Sequence, residues 1–136
     1  MTAHEYLSQV YVLDRKIKYD LRELENLREM SCSISSPNLG ERVSGGSSQE
    51  APFVKALERI WEKEDKINEE IKRLEALKEE IIGEINKVVD DDERFILLYR
   101  YVQKMKWSDI GLELCLSEKT VRRKNKTALG KFIVPT

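Results

Sequence analysis

The sequence predicts an all-α protein in which an antiparallel coiled-coil helical hairpin is followed by a trihelical helix-turn-helix head. Two observations predict this fold class. In two long segments the apolar residues recur at alternating steps of three and four, which is the spacing of a coiled-coil seam. From residue 91 onward the apolar repeats are short, and aspartate or serine residues that can cap helices stand at their starts.

The first long repeat predicts a coiled-coil helix over residues 1–30. Thr2 and Glu5 have the spacing of a capping box at its start, and Asp20 interrupts its seam. The single histidine, His4, has no cysteine or second histidine beside it, so we expect a solvent-exposed residue rather than a metal ligand. The apolar seam residues are Tyr6, Val10, Leu13, Ile17, Leu24 and Leu27.

Residues 31–52 are rich in serine, glycine and proline and show no apolar period, which predicts a flexible loop. The second long repeat predicts a longer coiled-coil helix over residues 53–90, with charged seam positions at Glu64 and Lys78. These two charges either set the register or mark where the seam opens to water. Because neither helix can bury its apolar stripe alone, we expect the first to fold back antiparallel on the second.

The apolar surface left over on the longer helix predicts an oligomer, and we expect a homodimer through the coiled coil. A single hairpin with an exposed stripe is the alternative. The residues assigned to the oligomer interface are Leu57, Ile60, Trp61, Ile67, Ile71, Leu74, Ile81 and Ile85.

Residues 91–136 are the predicted helix-turn-helix domain. Asp90 and Glu93 have capping-box spacing for a helix over Glu93–Lys104. Asp90 is also the first of three adjacent aspartates, but consecutive side chains point in different directions, so we favour capping over a metal site. We expect no catalytic residue, cofactor or metal, because the chain has one histidine, no nucleophile motif and no metal-ligand spacing.

The helix-turn-helix itself is predicted from caps and small residues. Ser108 is the expected cap of its first helix, and Gly111 lies where two helices must approach closely. Cys115 and Leu116 form the expected turn, and Ser117 is the expected cap of the second helix. The residues of the first helix expected in the core are Ile110, Leu112 and Leu114.

The second helix of the motif has an apolar side and a cationic side. Val121 lies at the centre of the apolar side, which also holds Ala128, Leu129 and Phe132. A cationic helix face fits the major groove of double-stranded DNA, and Lys119 and Arg123 suit guanine. The alternative is a solvated charged face. The predicted DNA-binding residues are Lys119, Thr120, Arg122, Arg123, Lys124, Lys126, Thr127 and Lys131.

Charge is distributed unevenly along the chain. Its formal net charge is −1, but residues 1–92 carry −7 and residues 93–136 carry +6. A basic head on an acidic scaffold favours a nucleic-acid partner. Two cysteines are too few for a disulfide framework, and no segment is typical of a signal peptide or a membrane span. We therefore expect a cytoplasmic protein with no membrane partner.

Several motifs between Asp91 and Phe132 carry a family resemblance. They are Arg94, Ile96, Leu97, Tyr99–Val102, Trp107–Ile110, Leu114, Leu116–Arg122, Ala128 and Leu129. With these residues the segment resembles region four of bacterial sigma factors and the heads of LuxR-type regulators. The resemblance implies that the helix from Ser117 to Lys131 enters the major groove.

The chain departs from this family at four positions. Lys104 and Cys115 stand where glycine is common, and a positive φ at Cys115 would be mildly costly. Gly111 replaces the usual alanine, and Asn125 stands where an apolar residue is usual. These departures put the stability of the head, and its affinity for DNA, in question.

The whole layout resembles a family of small phage and prophage proteins. It combines an N-terminal hairpin that begins Met1–Leu7, a serine-rich loop that includes Ser33–Ser36, and the head. These features are similar to the RinA and ArpU late-gene transcription regulators, which implies a regulator of phage genes in a Gram-positive bacterial cell. Two alternatives stay open: a DNA-packaging protein like a small terminase subunit, and a protein that binds host RNA polymerase or sigma factor and binds DNA only weakly.

Overall fold

The computed structural model describes the backbone of residues 1–35 and 47–136, and the side chains of residues 1–32 and 53–136. A π-helical turn, Leu98–Val102, directly follows the third of the α-helices. No strand occurs in these described ranges, so the all-α prediction is confirmed. The helices are α1 (Ala3–Ser35), α2 (Ser47–Ile85), α3 (Asp91–Leu97), α4 (Trp107–Leu114) and α5 (Glu118–Lys131).

The ends of the two long helices differ from the sequence prediction. α1 continues to Ser35 rather than residue 30, and α2 runs from Ser47 to Ile85 rather than over 53–90. Helix therefore occupies both ends of the predicted loop, and residues 36–46 of that loop lie outside the described residues. The described residues contain no helix whose length and apolar character together would allow it to span a membrane.

The predicted capping box at the start of α1 is confirmed. The Thr2 backbone N–H donates to the Glu5 carboxylate at 3.0 Å, and the Thr2 hydroxyl accepts from the Glu5 N–H at 3.2 Å. The hydrogen bonds from Thr2 hold the pKa of Glu5 below its ordinary value.

The chain divides into two compact units. One, the head unit, comprises Met1–Asp14 together with Arg73–Thr136, and the other, the hairpin unit, comprises Arg15–Lys72. The head unit thus includes the first turns of α1 and the last turns of α2, in addition to the predicted domain of residues 91–136.

In the hairpin unit α1 and α2 pair antiparallel. Asp20 of α1 faces Lys63, Lys66 and Glu70 of α2, whereas Arg28, further along α1, donates to Glu64 at 2.7 Å, so on average the partner position moves backward along α2. Asp20, which interrupts the apolar pattern, is fully buried, while Glu64 keeps 37% of its side chain exposed. Among the described side chains of this unit, the buried apolar residues are Ile17, Leu24, Ile60 and Ile67.

Burial within the chain limits the surface that the predicted oligomer interface can offer. Most of the residues assigned to it are at most 8% exposed within the single chain. These buried residues are Ile60, Ile67, Leu74, Ile81 and Ile85. A seam shared by two helices of one chain has the same heptad spacing as a seam shared by two chains, so the sequence could not distinguish the two. Accessible surface remains at Leu57 and Ile71, which are half-buried, and at Trp61, which is 58% exposed.

The core of the head is formed by one fully buried residue from each of three helices. Ile96 of α3, Ile110 of α4 and Val121 of α5 pack together, and α3 and α4 both pack on α5. The partly buried residues around this core are Tyr99, Met105, Trp107, Leu114 and Leu116.

The first turns of α1 also pack against the head. The ring of His4 meets Tyr101 edge-on, with centroids 6.0 Å apart, and the ring centroid of Tyr6 lies 5.9 Å from that of Phe132. Burial, together with donation of its hydroxyl to Glu80 at 3.2 Å, raises the pKa of Tyr6 to about 12. Sequence periodicity assigned Tyr6 to the hairpin seam and did not predict these aromatic contacts.

The start of α3 is capped as predicted, although its capping box is incomplete. The Asp90 carboxylate accepts from the Glu93 backbone N–H at 2.9 Å. The reciprocal bond is absent among the described contacts, because one Glu93 carboxylate oxygen accepts from Lys131 at 3.3 Å and the other is buried without a partner.

Two predictions for α4 are wrong. The helix begins at Trp107 with Lys106 in the cap position, so Ser108 lies inside the first turn rather than capping it. Leu112 is 80% exposed instead of buried. Leu112 lies two residues from Ile110 and two residues from Leu114. Each step turns the helix by about 100°, so Leu112 lies on nearly the opposite side from both and points away from the core.

Gly111 occupies a position with no room for a side chain. A Cβ atom at this residue would lie 2.7 Å from the backbone oxygen of Leu116, and that oxygen belongs to the turn before α5. The close approach expected at Gly111 is present, but it is to the backbone of this turn and not to a second helix. The alanine usual in region four would not fit here without a shift of the backbone.

Replacing Gly111 with alanine should therefore lower the melting temperature, because overpacking against backbone costs roughly 1–3 kcal/mol. The matched control is Gly83→Ala in α2, where a Cβ atom would meet nothing within 4 Å. That substitution should raise stability by up to about 1 kcal/mol through helix propensity. Thermal unfolding followed by circular dichroism compares the two variants, and equal melting temperatures would contradict the close approach.

Candidate nucleic-acid interface

Local contacts that the sequence predicts fix the start and the orientation of helix α5. The Ser117 hydroxyl accepts from the Thr120 backbone N–H at 3.2 Å, which confirms Ser117 as the N-cap. Val121 and Ala128 are buried, and Asn125 between them is buried as well. This packing fixes which face of α5 points away from the head.

One flank of α5 is tied to α3 by two ion pairs. Lys124 lies 3.3 Å from the Asp92 carboxylate, and Lys131 lies 3.3 Å from the Glu93 carboxylate. Both lysines were predicted to contact DNA, and the structure gives them partners within the head. Both side chains are partly exposed, so the two lysines lie at the edge of the outward face of α5 and not at its centre.

The other flank of α5 lies beside the start of α4. The Arg122 guanidinium lies 5.8 Å from the centroid of the Trp107 ring and donates to Glu118 at 3.0 Å. Arg100, from the π-helical turn, lies closer to the same ring, at 4.1 Å, and donates to the Met105 carbonyl at 3.0 Å. Trp107 therefore links the π-helical turn, α4 and α5 through cation–π contacts.

Between these flanks lie three exposed cations. Lys119, Arg123 and Lys126 have no ion-pair or side-chain hydrogen-bond partner among the described residues. At 100° per residue, all three point within about 40° of the direction opposite to Val121. We call Lys119, Arg123 and Lys126 the cation row.

The two predicted threonines are only partly available as polar contacts. Thr120 is half-buried and its hydroxyl accepts from Ser117 at 2.8 Å. Thr127 is exposed, and its hydroxyl donates to the backbone carbonyl of Arg123 at 3.2 Å. Of the eight predicted DNA-binding residues, the three of the cation row thus have no partner among the described residues. The other five form hydrogen bonds or ion pairs within the head.

The cation row extends along a helix whose diameter suits a nucleic-acid groove. Lys126 follows Lys119 by seven positions, which corresponds to about 10 Å along the axis. An α-helix with its side chains is about 10–12 Å across, and the DNA major groove, about 12 Å wide, admits one such helix. The central Arg123 presents a planar set of donors that matches the two acceptors of guanine, while lysines act as point charges toward phosphates.

The acidic run before the head is used by intramolecular contacts. Asp90 caps α3, Asp91 pairs with Arg94, Asp92 with Lys124, and Glu93 with Lys131. Across the described part of the chain no group of three histidine, cysteine or acidic side chains has an arrangement that would hold a metal ion. The sequence offered no signal for the last two ion pairs, because their partners are more than thirty residues apart.

Asn125 is a second residue whose role the sequence left open. It is 8% exposed, and its side-chain oxygen has no hydrogen-bond partner among the described residues. Burial raises the pKa of Tyr101, and the nearby amide of Asn125 partly opposes that rise. The polar residue at this apolar position therefore lies close to Tyr101 of the π-helical turn.

Two residues at the turns of the head adopt left-handed backbone conformations. Lys104 and Cys115 both have φ of 58°, and they are the non-glycine residues with positive φ in the described chain. Both are positions at which the resemblance drawn from the sequence predicts glycine. The expected strain at Cys115 is confirmed, and the Lys104 ammonium contacts Asp14 at 2.6 Å.

Comparison with protein families gives one match. A family model described as "Protein of unknown function (DUF722)" matches residues 11–132. The chain belongs to the DUF722 family. The match spans α5 completely, so the cation row lies within the segment that defines the family. Neither the curated proteins nor the solved structures include a match to this chain.

Replacing Cys115 with glycine should stabilise the head by about 0.5–1 kcal/mol, because glycine avoids the left-handed strain but has a larger entropy loss on folding. Cys115 is exposed, so the substitution removes little packing. Urea unfolding of the full chain measures the effect. Cys32→Gly serves as the control in α1, where glycine should destabilise, and a loss of stability in both variants would contradict the strain at Cys115.

Proposed function

We propose that this DUF722 protein is a sequence-specific, double-stranded-DNA-binding transcriptional regulator of phage or prophage genes, acting in the cytoplasm of a bacterial cell. The observation that carries the proposal is the cation row on the exposed face of α5. Three cations on the outward side of a helix-turn-helix, without ion-pair partners among the described residues, form a surface whose charge is complementary to phosphate and to the acceptor edge of guanine.

The flanking contacts of α5 support a division of roles on this surface. Arg123 occupies the centre of the exposed face and is our proposed base-reading residue. Lys119 and Lys126 lie one turn to either side of it and are proposed to contact phosphates or neighbouring bases. Arg122, Lys124 and Lys131 already have carboxylate partners and are proposed as secondary phosphate contacts at the rim.

We further propose that the regulator acts as a homodimer, since a dimer reads two half-sites and so extends a short recognition sequence. Burial within the chain limits the coiled-coil surface available for this contact. The accessible part of the predicted interface consists of Leu57, Trp61 and Ile71 in the hairpin unit. The exposed indole of Trp61 is the side chain we expect to contribute most to such a contact.

The proposal is tested by selection from a random double-stranded DNA library, followed by titration of the selected site and a scrambled site at several salt concentrations. We expect an enriched motif, and an affinity for both sites that falls linearly on a log–log plot as salt rises. Preference for the selected site should be at least about a thousandfold. No enrichment and equal, weak binding to both sites would reject a sequence-specific regulator.

Further measurements on the same sample separate the alternatives. A ring-sized assembly by light scattering would favour a packaging protein over a dimeric regulator. Capture of purified RNA polymerase or sigma factor without selective DNA binding would favour the polymerase-binding alternative. No described contact favours either alternative over the regulator.

Replacing Arg123 with alanine should weaken binding to the selected site by about 1–3 kcal/mol and relax its sequence preference, whereas Lys131→Ala should weaken binding to all DNA about equally. Lys72→Ala, in the hairpin unit, is the control and should change neither the affinity for DNA nor the sequence preference. The three variants are compared by fluorescence anisotropy on the selected and scrambled sites. Equal losses on both sites for Arg123→Ala would remove its base-reading role.

A further inference from the structure

Two carboxyl groups are buried together in the hairpin unit. Asp20 of α1 is fully buried and Glu70 of α2 is 7% exposed. Lys66, one helical turn before Glu70 on α2, lies 4.0 Å from the Asp20 carboxylate, so the two acids lie on the facing sides of the two helices. Two ionised carboxylates side by side in a buried site repel each other, so one of them holds a proton, which it can donate to the other. Glu70 Oε1 is buried with no hydrogen-bond partner among the described residues.

The surrounding charges distinguish the two acids. Lys16 of α1 lies 2.8 Å from the Asp20 carboxylate, and Lys63 and Lys66 of α2 lie 3.3 Å and 4.0 Å from it. None of these lysines forms an ion pair with Glu70 among the described contacts. The negative charge is therefore stabilised on Asp20, and the proton is left for Glu70.

The directions of the pKa shifts agree with this geometry. Burial raises the pKa of Glu70, and the hydrogen bond and negative charge of Asp20 raise it further. Burial alone would raise the pKa of Asp20, but hydrogen bonds from Lys16, Glu70 and Lys63 outweigh burial and hold it well below its ordinary value. The two acids behave oppositely because the lysines contact Asp20 directly, whereas Lys16 and Lys66 act on Glu70 only through their charge and lower its pKa less than burial and Asp20 raise it.

We propose that Asp20 and Glu70 form a proton-binding latch between α1 and α2 in the hairpin unit, with the bound proton on Glu70. When that proton leaves for solvent, two buried carboxylates face each other and their repulsion weakens the pairing of the two helices. The charges facing the pair are Lys16 from α1 and Lys63 and Lys66 from α2. The latch does not depend on the proposed DNA binding and belongs to a different compact unit from α5.

The direction of the pH dependence follows from the two shifts. The contribution of Asp20, whose pKa is lowered on folding, is complete above its unfolded value of about 3.9 and is lost as the pH falls toward its folded value. The contribution of Glu70, whose pKa is raised, is complete below its unfolded value of about 4.3 and is lost as the pH rises toward its folded value. Together the two groups stabilise the hairpin most at about pH 4.

The first experiment measures the proton directly. In the full-length wild-type chain, labelled with carbon-13 at the side-chain carboxyls, the Glu70 signal is followed by nuclear magnetic resonance as the pH is raised. We expect its titration midpoint above the ordinary glutamate value of about 4.3. A midpoint at or below that value would overturn the proposal.

The second experiment compares the stability of wild type and Glu70→Gln by urea unfolding between pH 4 and pH 9. The glutamine amide can donate to Asp20 as the protonated acid does, but it cannot lose the proton. The ratio of the wild-type unfolding constant to that of Glu70→Gln should rise with pH, by up to about tenfold per pH unit, until Glu70 is ionised. A ratio that is constant with pH would overturn the latch.

A neighbouring substitution controls for the loss of one carboxylate from α2. Glu69→Gln changes an exposed residue beside the latch, and its unfolding constant should keep a constant ratio to that of wild type over the same pH range. If Glu69→Gln reproduces the pH-dependent ratio of Glu70→Gln, general charge reduction explains the effect and the latch is rejected. If Glu70→Gln does not fold, the wild-type titration decides alone.

Discussion

The packing of Val121 against Ile96 and Ile110 is the contact on which the rest of the head depends. These three fully buried side chains come from three different helices, and together they fix the rotation of α5 about its own axis. Once that rotation is set, the positions of the flanking side chains follow from 100° per residue. The same contact that buries the apolar side of α5 therefore determines which cations are exposed.

Intramolecular acids then divide the cations of α5 into two classes. Glu118, Asp92 and Glu93 each pair with one basic residue of the helix, and the cation row is left without a partner in the described chain. Exposed ion pairs of this kind contribute about 0–1 kcal/mol each, so their main effect is to orient side chains rather than to stabilise the fold. The acidic run at residues 90–93, an obvious feature of the sequence, thus shapes the basic surface of α5.

The hairpin unit uses a different arrangement, in which charge is placed inside the contact between the helices. Asp20 and Glu70 are buried at positions where an apolar pair would pack more simply. Removing one partner of a buried charged group typically costs about 3–5 kcal/mol, whereas replacing the whole group by apolar residues is often neutral. Buried polar groups of this kind are known to specify which helices pair and in which register, at some cost in stability.

The sequence by itself determined the features that arise from neighbouring residues: the all-α class, the caps at Thr2 and Ser117, the left-handed turn at Cys115 and the close approach at Gly111. Each depends on contacts within a few residues, so the local pattern contains the necessary information. Tertiary structure alone decided that the seam residues of α2 are buried within one chain, that Leu112 is exposed and that five of the eight predicted DNA-binding residues are engaged inside the head. It also brought Asp20 to Glu70, fifty residues apart in the chain. These outcomes depend on which surfaces pack together and on which acid contacts which lysine. The sequence could not predict them, because the apolar periodicity of a helix is the same whichever partner it packs against.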